Sequence, residues 1–187
     1  MPGLCSLNEL KAILLVPEAE SGLDTVLQAI IDSVTADCGK FCDRTFLKTG
    51  YSNQAYDGEG KATVVLKQYP VNSAETFQLK DYDPEIGLTI ADTADYAVDY
   101  DSGVVRLRGG LVFADGPDTV QVTYSAGYAL AGTGSDQKIG VPSDLSDSVA
   151  QFSAEKYRRR IGAVTEESYE AASNEALRVW SRYRKVR

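Results

Sequence analysis

Apolar residues along this chain change their spacing twice. Near the N-terminus, "SLNELKAILLV" opens with a capping box, in which the Ser6 hydroxyl can accept from the Glu9 N–H while the Glu9 carboxylate reaches back to the Ser6 N–H. Pro17 is expected to end this short helix. From about Gly22 to Asp43, Leu23, Val26, Leu27, Ile30, Ile31, Val34 and Phe41 recur at steps of three and four, which predicts a longer helix with one buried stripe.

From about Thr45 to Tyr128 the pattern becomes that of strands and tight turns. "KATVVLKQYPV" and "DTVQVTYSAGY" are rich in β-branched and aromatic residues. "YAVDYDSGVVRL" reads as two strands joined through Asp101-Ser102-Gly103, with glycine supplying a positive φ. "YDGEGK" and "FADGPD" are further turns. The stretch predicts an antiparallel module of roughly five to seven short strands.

Helical spacing then returns. "AGTGSDQKIG" predicts a flexible loop over 131–140. A helix follows, with Ser143 or Asp144 as N-cap after Pro142 and with Leu145, Val149, Phe152, Tyr157 and Ile161 as its buried edge. A break near Gly162 precedes a last helical segment, about Thr165 to Tyr183. The fold class expected is α+β: a helical core from residues 1–44 and 141–162, a β-rich insertion at 45–130, and a C-terminal interaction tail at 163–187.

Composition changes this picture in one respect. The 187 residues carry a net charge of −8, which argues against general affinity for nucleic acid. The charge is uneven: residues 1–153 hold 22 acidic and 10 basic side chains, whereas residues 154–187 hold 9 basic and 5 acidic ones. A main body and a tail that meets something different would look like this. The N-terminus lacks the basic start of a signal peptide, and its apolar run is broken by Lys11. The expectation is a protein made in the cytoplasm, outside membranes, with Cys5, Cys38 and Cys42 as reduced thiols.

Candidate chemistry is sparse. The chain has no histidine, which removes Ser-His and Cys-His nucleophile pairs and most zinc sites. Cys38 and Cys42 lie one helical turn apart with no second pair to complete a metal site, so they read as small core residues. "DGEGKAT" departs from a phosphate-binding loop at Ala55 and Ala62. Asp81, Asp83 and Glu85 alternate as in a weak cation loop, but a calcium loop needs glycine where Ile86 stands and glutamate where Asp92 stands. No pair of carboxylates is singled out for glycosidase chemistry. No catalytic residue, metal or cofactor is assigned.

The tail is the remaining candidate. On a helical projection Tyr169, Ala172, Ala176, Val179, Trp180 and Tyr183 share one face, with Arg178, Arg182 and Lys185 opposite. One reading makes it the last helix of the fold, its aromatic stripe packed and its charges in water. A second makes it an interaction helix, since Trp, Tyr and Arg dominate interface hot spots. A third is nucleic-acid binding, which the acidic body opposes.

"LCSLNELKAIL", a long helix closing in "CGKFCDRTF", then "YAVDYDSGVVRL", "VTYSAGY", "VPSDL" and "AEKYRRR" together resemble the head–tail connector (adaptor, or head-completion) proteins of long-tailed phages. The resemblance touches the helical flanks and both ends of the β-module; the region from Gln54 to about Asp95 departs from it as an enlargement. It implies a structural virion protein at the head–tail neck, not an enzyme, that forms a ring, typically of twelve subunits, under the portal. The implied partners are the portal protein, other copies of the chain, and the next neck, stopper or tail protein. DNA would pass through an acidic channel that does not hold its phosphates. The resemblance also implies that the tail docks to the portal, with Trp180 and Tyr183 in portal pockets and Arg178, Arg182, Arg184 and Lys185 pairing with portal carboxylates. Two other classes stay open on the residues alone: a β-module that binds a carbohydrate or surface ligand, and an accessory protein that binds nucleic acid.

Overall fold

The computed structural model describes residues 2–83, 85 and 87–184, apart from the side chain of Leu88. It divides into two compact units, one formed by residues 1–47 with 128–187 and the other by residues 48–127. Helices and antiparallel sheets are segregated along the chain, so the fold is α+β, as the sequence pattern predicts.

The first unit is helical. Helix α1 (Leu7–Leu14) starts with the full capping box between Ser6 and Glu9. It stops before Pro17 because Leu15 turns left-handed (φ 57°) and sends its N–H back to Ala12 O, while the Val16 N–H bonds Lys11 O at 2.9 Å. Helix α2 (Asp24–Cys42) buries Leu27, Ile30, Ile31, Val34, Cys38 and Cys42, with Leu23, Val26 and Phe41 half-buried beside them. Helix α3 (Ser143–Arg160) buries Leu145, Val149, Ala150, Phe152 and Ala154. Neither Ser143 nor Asp144 caps it; the extended Pro142 holds the cap position without a side-chain acceptor. Ile161, expected on the buried edge, is 58% exposed, because the helix ends at Arg160 and the chain turns away at Gly162 (φ 71°). Thr165 caps helix α4 (Glu166–Trp180) by accepting from the Ser168 N–H at 3.2 Å. A short 3₁₀ turn, Ser181–Tyr183, follows.

Two lysines tie this unit together. Lys11, which interrupts the apolar run of α1, is 1% exposed. Its ammonium donates to Glu20 O at 2.7 Å and Glu18 O at 3.1 Å and pairs with Asp24 at 2.5 Å, so it gathers the α1–α2 connection around one charge. Lys138 pairs with Glu9 and donates to Ser146 Oγ at 3.0 Å. The segment expected as a flexible loop at 131–140 is instead a small antiparallel hairpin, Leu130–Ala131 (β8) with Lys138–Ile139 (β9). Ile139 is buried, and its N–H bonds Gly3 O at 2.8 Å. Here a glycine-rich composition marks tight turning, not looseness.

The second unit holds strands β1 (Thr49–Tyr56), β2 (Thr63–Val65), β3 (Gln78–Asp83), β4 (Gly87–Ile90), β5 (Tyr96–Asp99), β6 (Val104–Leu107) and β7 (Val120–Ala126). They form a four-stranded sheet, ordered β1-β7-β3-β4, and a three-stranded sheet, ordered β2-β6-β5, all antiparallel. Strand β7 alternates as a half-buried strand should, with Val120, Val122, Tyr124 and Ala126 inward. Those residues join Tyr56, Val64, Leu66, Leu79, Val105 and Phe113 in one core. The β5–β6 turn is the one read from Asp101-Ser102-Gly103, with Gly103 at φ 68°. In "KATVVLKQYPV" only Thr63–Val65 is strand, because β2 pairs with β6 over that length alone.

Candidate functional site

The sequence points to the end of α4 and the turn after it. Arg178 and Trp180 belong to α4, and Arg182 and Tyr183 to the 3₁₀ turn. Arg184 closes that turn, its N–H bonding Ser181 O at 3.4 Å. Lys185 lies outside the described residues.

Trp180 is not placed to enter a partner's pocket, which corrects the docking role expected of it. It is 2% exposed, edge-on to Phe152 (centroids 6.0 Å apart, planes at 78°) and 6.3 Å from Phe41. Its indole N–H donates to Ser148 Oγ at 3.1 Å, and Ser148 in turn donates to Leu145 O at 2.9 Å. The Trp180 carbonyl accepts from the Cys42 thiol at 3.4 Å. The reading of α4 as the fold's last helix therefore describes this side chain. An amphipathic stripe carrying a tryptophan buries it in the nearest core, which α2 and α3 supply.

Tyr183 is half-buried, and its hydroxyl donates to the Asp144 carboxylate. Burial, reinforced by that hydrogen bond, pushes its phenol well above the ordinary tyrosine range. The Tyr183 carbonyl accepts from the Arg44 guanidinium at 3.1 Å, and Arg44 lies 5.3 Å over the Phe46 ring. So Tyr183 is also held within its own chain.

The arginines form the outward part. Arg178, Arg182 and Arg184 are exposed. Arg178 pairs with Glu175 one turn back at 2.8 Å, Arg182 lies 3.6 Å from Asp144, and Arg184 lies 5.8 Å over Phe41. Exposed pairs of this kind are worth about 0–1 kcal/mol each, so a partner's carboxylate can take over either contact at little cost. What the structure brings together is a basic surface on an aromatic base, with the aromatic part turned inward.

The other sequence candidate is dispersed. Asp81 and Asp83 belong to β3, opposite Thr89 and Gly87 of β4, and Glu85 lies in the turn between the strands. Asp81 Oδ1 accepts from the Tyr82 N–H at 2.9 Å, and Asp83 Oδ1 from the Glu85 N–H at 2.8 Å. Asp81 and Asp83 thus each accept from a nearby backbone N–H. Among the described residues, no group of three or more His, Cys, Asp or Glu is placed to hold a metal ion. Ile86, which broke the calcium pattern, lies outside the described residues. Cys5, Cys38 and Cys42 are buried and free. Among the described residues no helix is long and apolar enough to cross a membrane.

One feature escaped the sequence reading. Between α3 and α4 runs a groove of about 630 Å³, with Phe152, Ala172, Ala176 and Val179 on its floor. Carboxylates of Asp144, Asp147, Glu155 and Glu175 line it, against the single cation Arg158. The signal was present as polar residues three to four apart on one face of α3 (Asp144, Asp147, Gln151 and Glu155), with small residues four apart on α4 (Ser168, Ala172 and Ala176).

No family model matches the chain, and no curated protein sequence matches it. Solved structures resemble it in fold, among them two chains from gene transfer agent particles. A chain from the neck of an empty GTA particle, computed with C6 symmetry, aligns over 97% of this chain and 89% of its own, with 18% identity and a TM-score of 0.58. A chain from the virion of a native gene transfer agent (GTA) particle aligns over 97% and 89%, with 19% identity and a TM-score of 0.52. At these identities the likeness is one of fold.

Proposed function

We propose that this chain is a structural protein of a phage-like particle: a head–tail connector (adaptor) subunit that forms a ring under the portal, extends the DNA channel and joins the head to the neck or tail. In this reading the protein works by binding and not by catalysis. Its place is the virion neck, and its neighbours are the portal, other copies of itself and the next neck or tail protein. A ring of twelve is the number the family resemblance implies.

The observation that carries the reading is the extent of the fold likeness. It spans 97% of the chain, both helical flanks and the β-rich insertion together, with a chain from a particle neck solved with sixfold symmetry. Arg178, Arg182 and Arg184 are the docking cations, because all three are exposed and the ion pairs of Arg178 and Arg182 are weak ones at the surface. Trp180 acts from beneath, fixing the end of α4 from which the turn bearing Arg182 and Arg184 continues. The excess of carboxylates suits a channel wall that phosphates must slide past.

The test is co-purification with the portal protein of the same particle. The wild-type chain should be retained, and the variant with Arg182→Glu and Arg184→Glu should not. Unchanged fluorescence from Trp180, the one tryptophan, would show that the variant is folded. Equal retention of the variant would sink the docking assignment. Failure of the wild-type chain to bind would sink the connector reading.

A further inference from the structure

We infer that copies of this chain join head to tail through the α3–α4 hairpin, the basic turn around Ile161 of one copy seating in the acidic groove of the next. This rests on the connector reading and specifies the contact a ring would use. The turn is an apolar knob with a basic collar: Ile161 is 58% exposed and follows Arg158, Arg159 and Arg160 directly. Arg159 is steadied by Glu166 at 2.9 Å and by the Tyr169 ring 4.3 Å away, while Arg160 is exposed. The groove offers the reverse, an apolar floor at Phe152 and Val179 beneath the carboxylates of Asp144, Asp147 and Glu175.

Knob and groove point the contact in one direction. From Asp144 to Ile161 the hairpin is about 25 Å long at 1.5 Å per helical residue, so the acidic end of the groove and the basic turn lie at opposite ends. With Asp144, Glu155 and Glu175 already beside arginines of their own chain, the sign of the contact is set by Asp147: against the Arg160 of a neighbour it is matched, whereas Asp147 against Asp147 or Arg160 against Arg160 would oppose like charges. A contact between two different surfaces of the same chain repeats with one sense, closing into a ring where the rotation allows and growing as a filament where it does not. Asp147 is the rim residue to perturb. It is exposed, whereas Asp144, Glu155 and Glu175 each already meet an arginine of their own chain.

Sedimentation velocity on the full chain, from about 10 μM to about 1 mM, covers the range in which such a contact dissociates. The wild-type chain should associate with rising concentration. Arg160→Glu and Asp147→Lys should each weaken association about tenfold or more, because each sets like charges against each other. The double variant carrying both should recover it, since the charges are then exchanged and not lost. An equal mixture of the two single variants should also associate, with the two alternating, because the reversed turn of one meets the reversed groove of the other and the two unaltered surfaces meet as in the wild-type chain. A wild-type chain monomeric at the highest concentration, single variants that associate normally, or a double variant no better than either single one would each overturn the contact. Portal retention separates the two proposals: a chain that binds portal while these variants assemble normally keeps the connector function and loses this interface.

Discussion

Lys11→Met is the most informative perturbation of the fold, because it keeps the stem and removes only the charge. The ammonium is held by Glu20 O at 2.7 Å, Glu18 O at 3.1 Å and Asp24 at 2.5 Å, in a site that leaves Lys11 1% exposed. A hydrogen bond to a charged group contributes about 1.5–3 kcal/mol, and a buried pair broken from one side costs about 3–5 kcal/mol. Both figures need lowering here. Glu18 and Glu20 are exposed residues and the Asp24 side chain is 32% exposed, so the site lies near solvent, although Asp24 Oδ1 itself is buried. Roughly 1 kcal/mol per contact gives about 3 kcal/mol in all. Trp180 lies in the core of the same helical unit, so its fluorescence reports that unit's unfolding. With a urea slope of about 1.5–2 kcal/mol per molar, the midpoint should fall by about 1.5–2 M at unchanged slope. Asp24→Asn should cost about a third as much. A midpoint shift below about 0.5 M for Lys11→Met would show that the lysine is merely tolerated, and the account of the α1–α2 connection would fail.

Two further outcomes follow from titrating groups. Burial alone would raise the Glu9 carboxyl, but its hydrogen bonds with Lys138 and the Ser6 N–H outweigh that and hold it below the ordinary range. Its stabilising effect is therefore complete above about pH 4.3 and lost as pH falls through the lower folded value, so Glu9→Gln should flatten the acid limb of stability measured by Trp180 fluorescence; superimposable pH curves would refute this. Burial pushes the Cys5 thiol up to about 12, which lowers its thiolate fraction about a thousandfold, and Cys38 is raised by its hydrogen bond with Cys42 and by burial. Cys42 is lowered by that same hydrogen bond but is fully buried, so a thiol reagent at pH 8 should react with the native chain only as fast as it opens, and a thiol labelled within the mixing time would contradict the packing.

What was legible in the sequence is what local chemistry decides. The Ser6–Glu9 box, the stripe of α2, the Gly103 turn and the Gly162 break each need only a few neighbouring residues, and each is present. What was not legible depends on partners far along the chain. Trp180 is a core residue because Ser148, 32 positions earlier, meets its indole N–H. Strand β7 sits between β1 and β3, an order that no local pattern specifies. Lys11 read as a break in an apolar run, since the carbonyls that bury it converge only once the α1–α2 connection has folded. The α3–α4 groove required two helix faces to be set against each other, although each face was readable alone.

The placement of Trp180 alters how the tail can be studied. Ending the chain at Ile161 would remove α4, and with it Ala176 and Trp180 from the core that also holds Phe152 and Val149. Loss of a buried aromatic alone costs about 3–5 kcal/mol, a large part of the stability of a unit this size. A truncated chain that failed to bind portal would then say nothing about docking. Charge reversal at Arg182 and Arg184 avoids this, since an exposed ion pair contributes about 0–1 kcal/mol and the aromatic base stays in place. The same separation applies at the other end of the hairpin, where Arg160 is exposed and Tyr169 and Phe152, 5.5 Å apart, hold the helices together beneath it. On this helix pair the packing is internal and the charge faces outward, so substitutions of charge test partners and substitutions of aromatics test the fold.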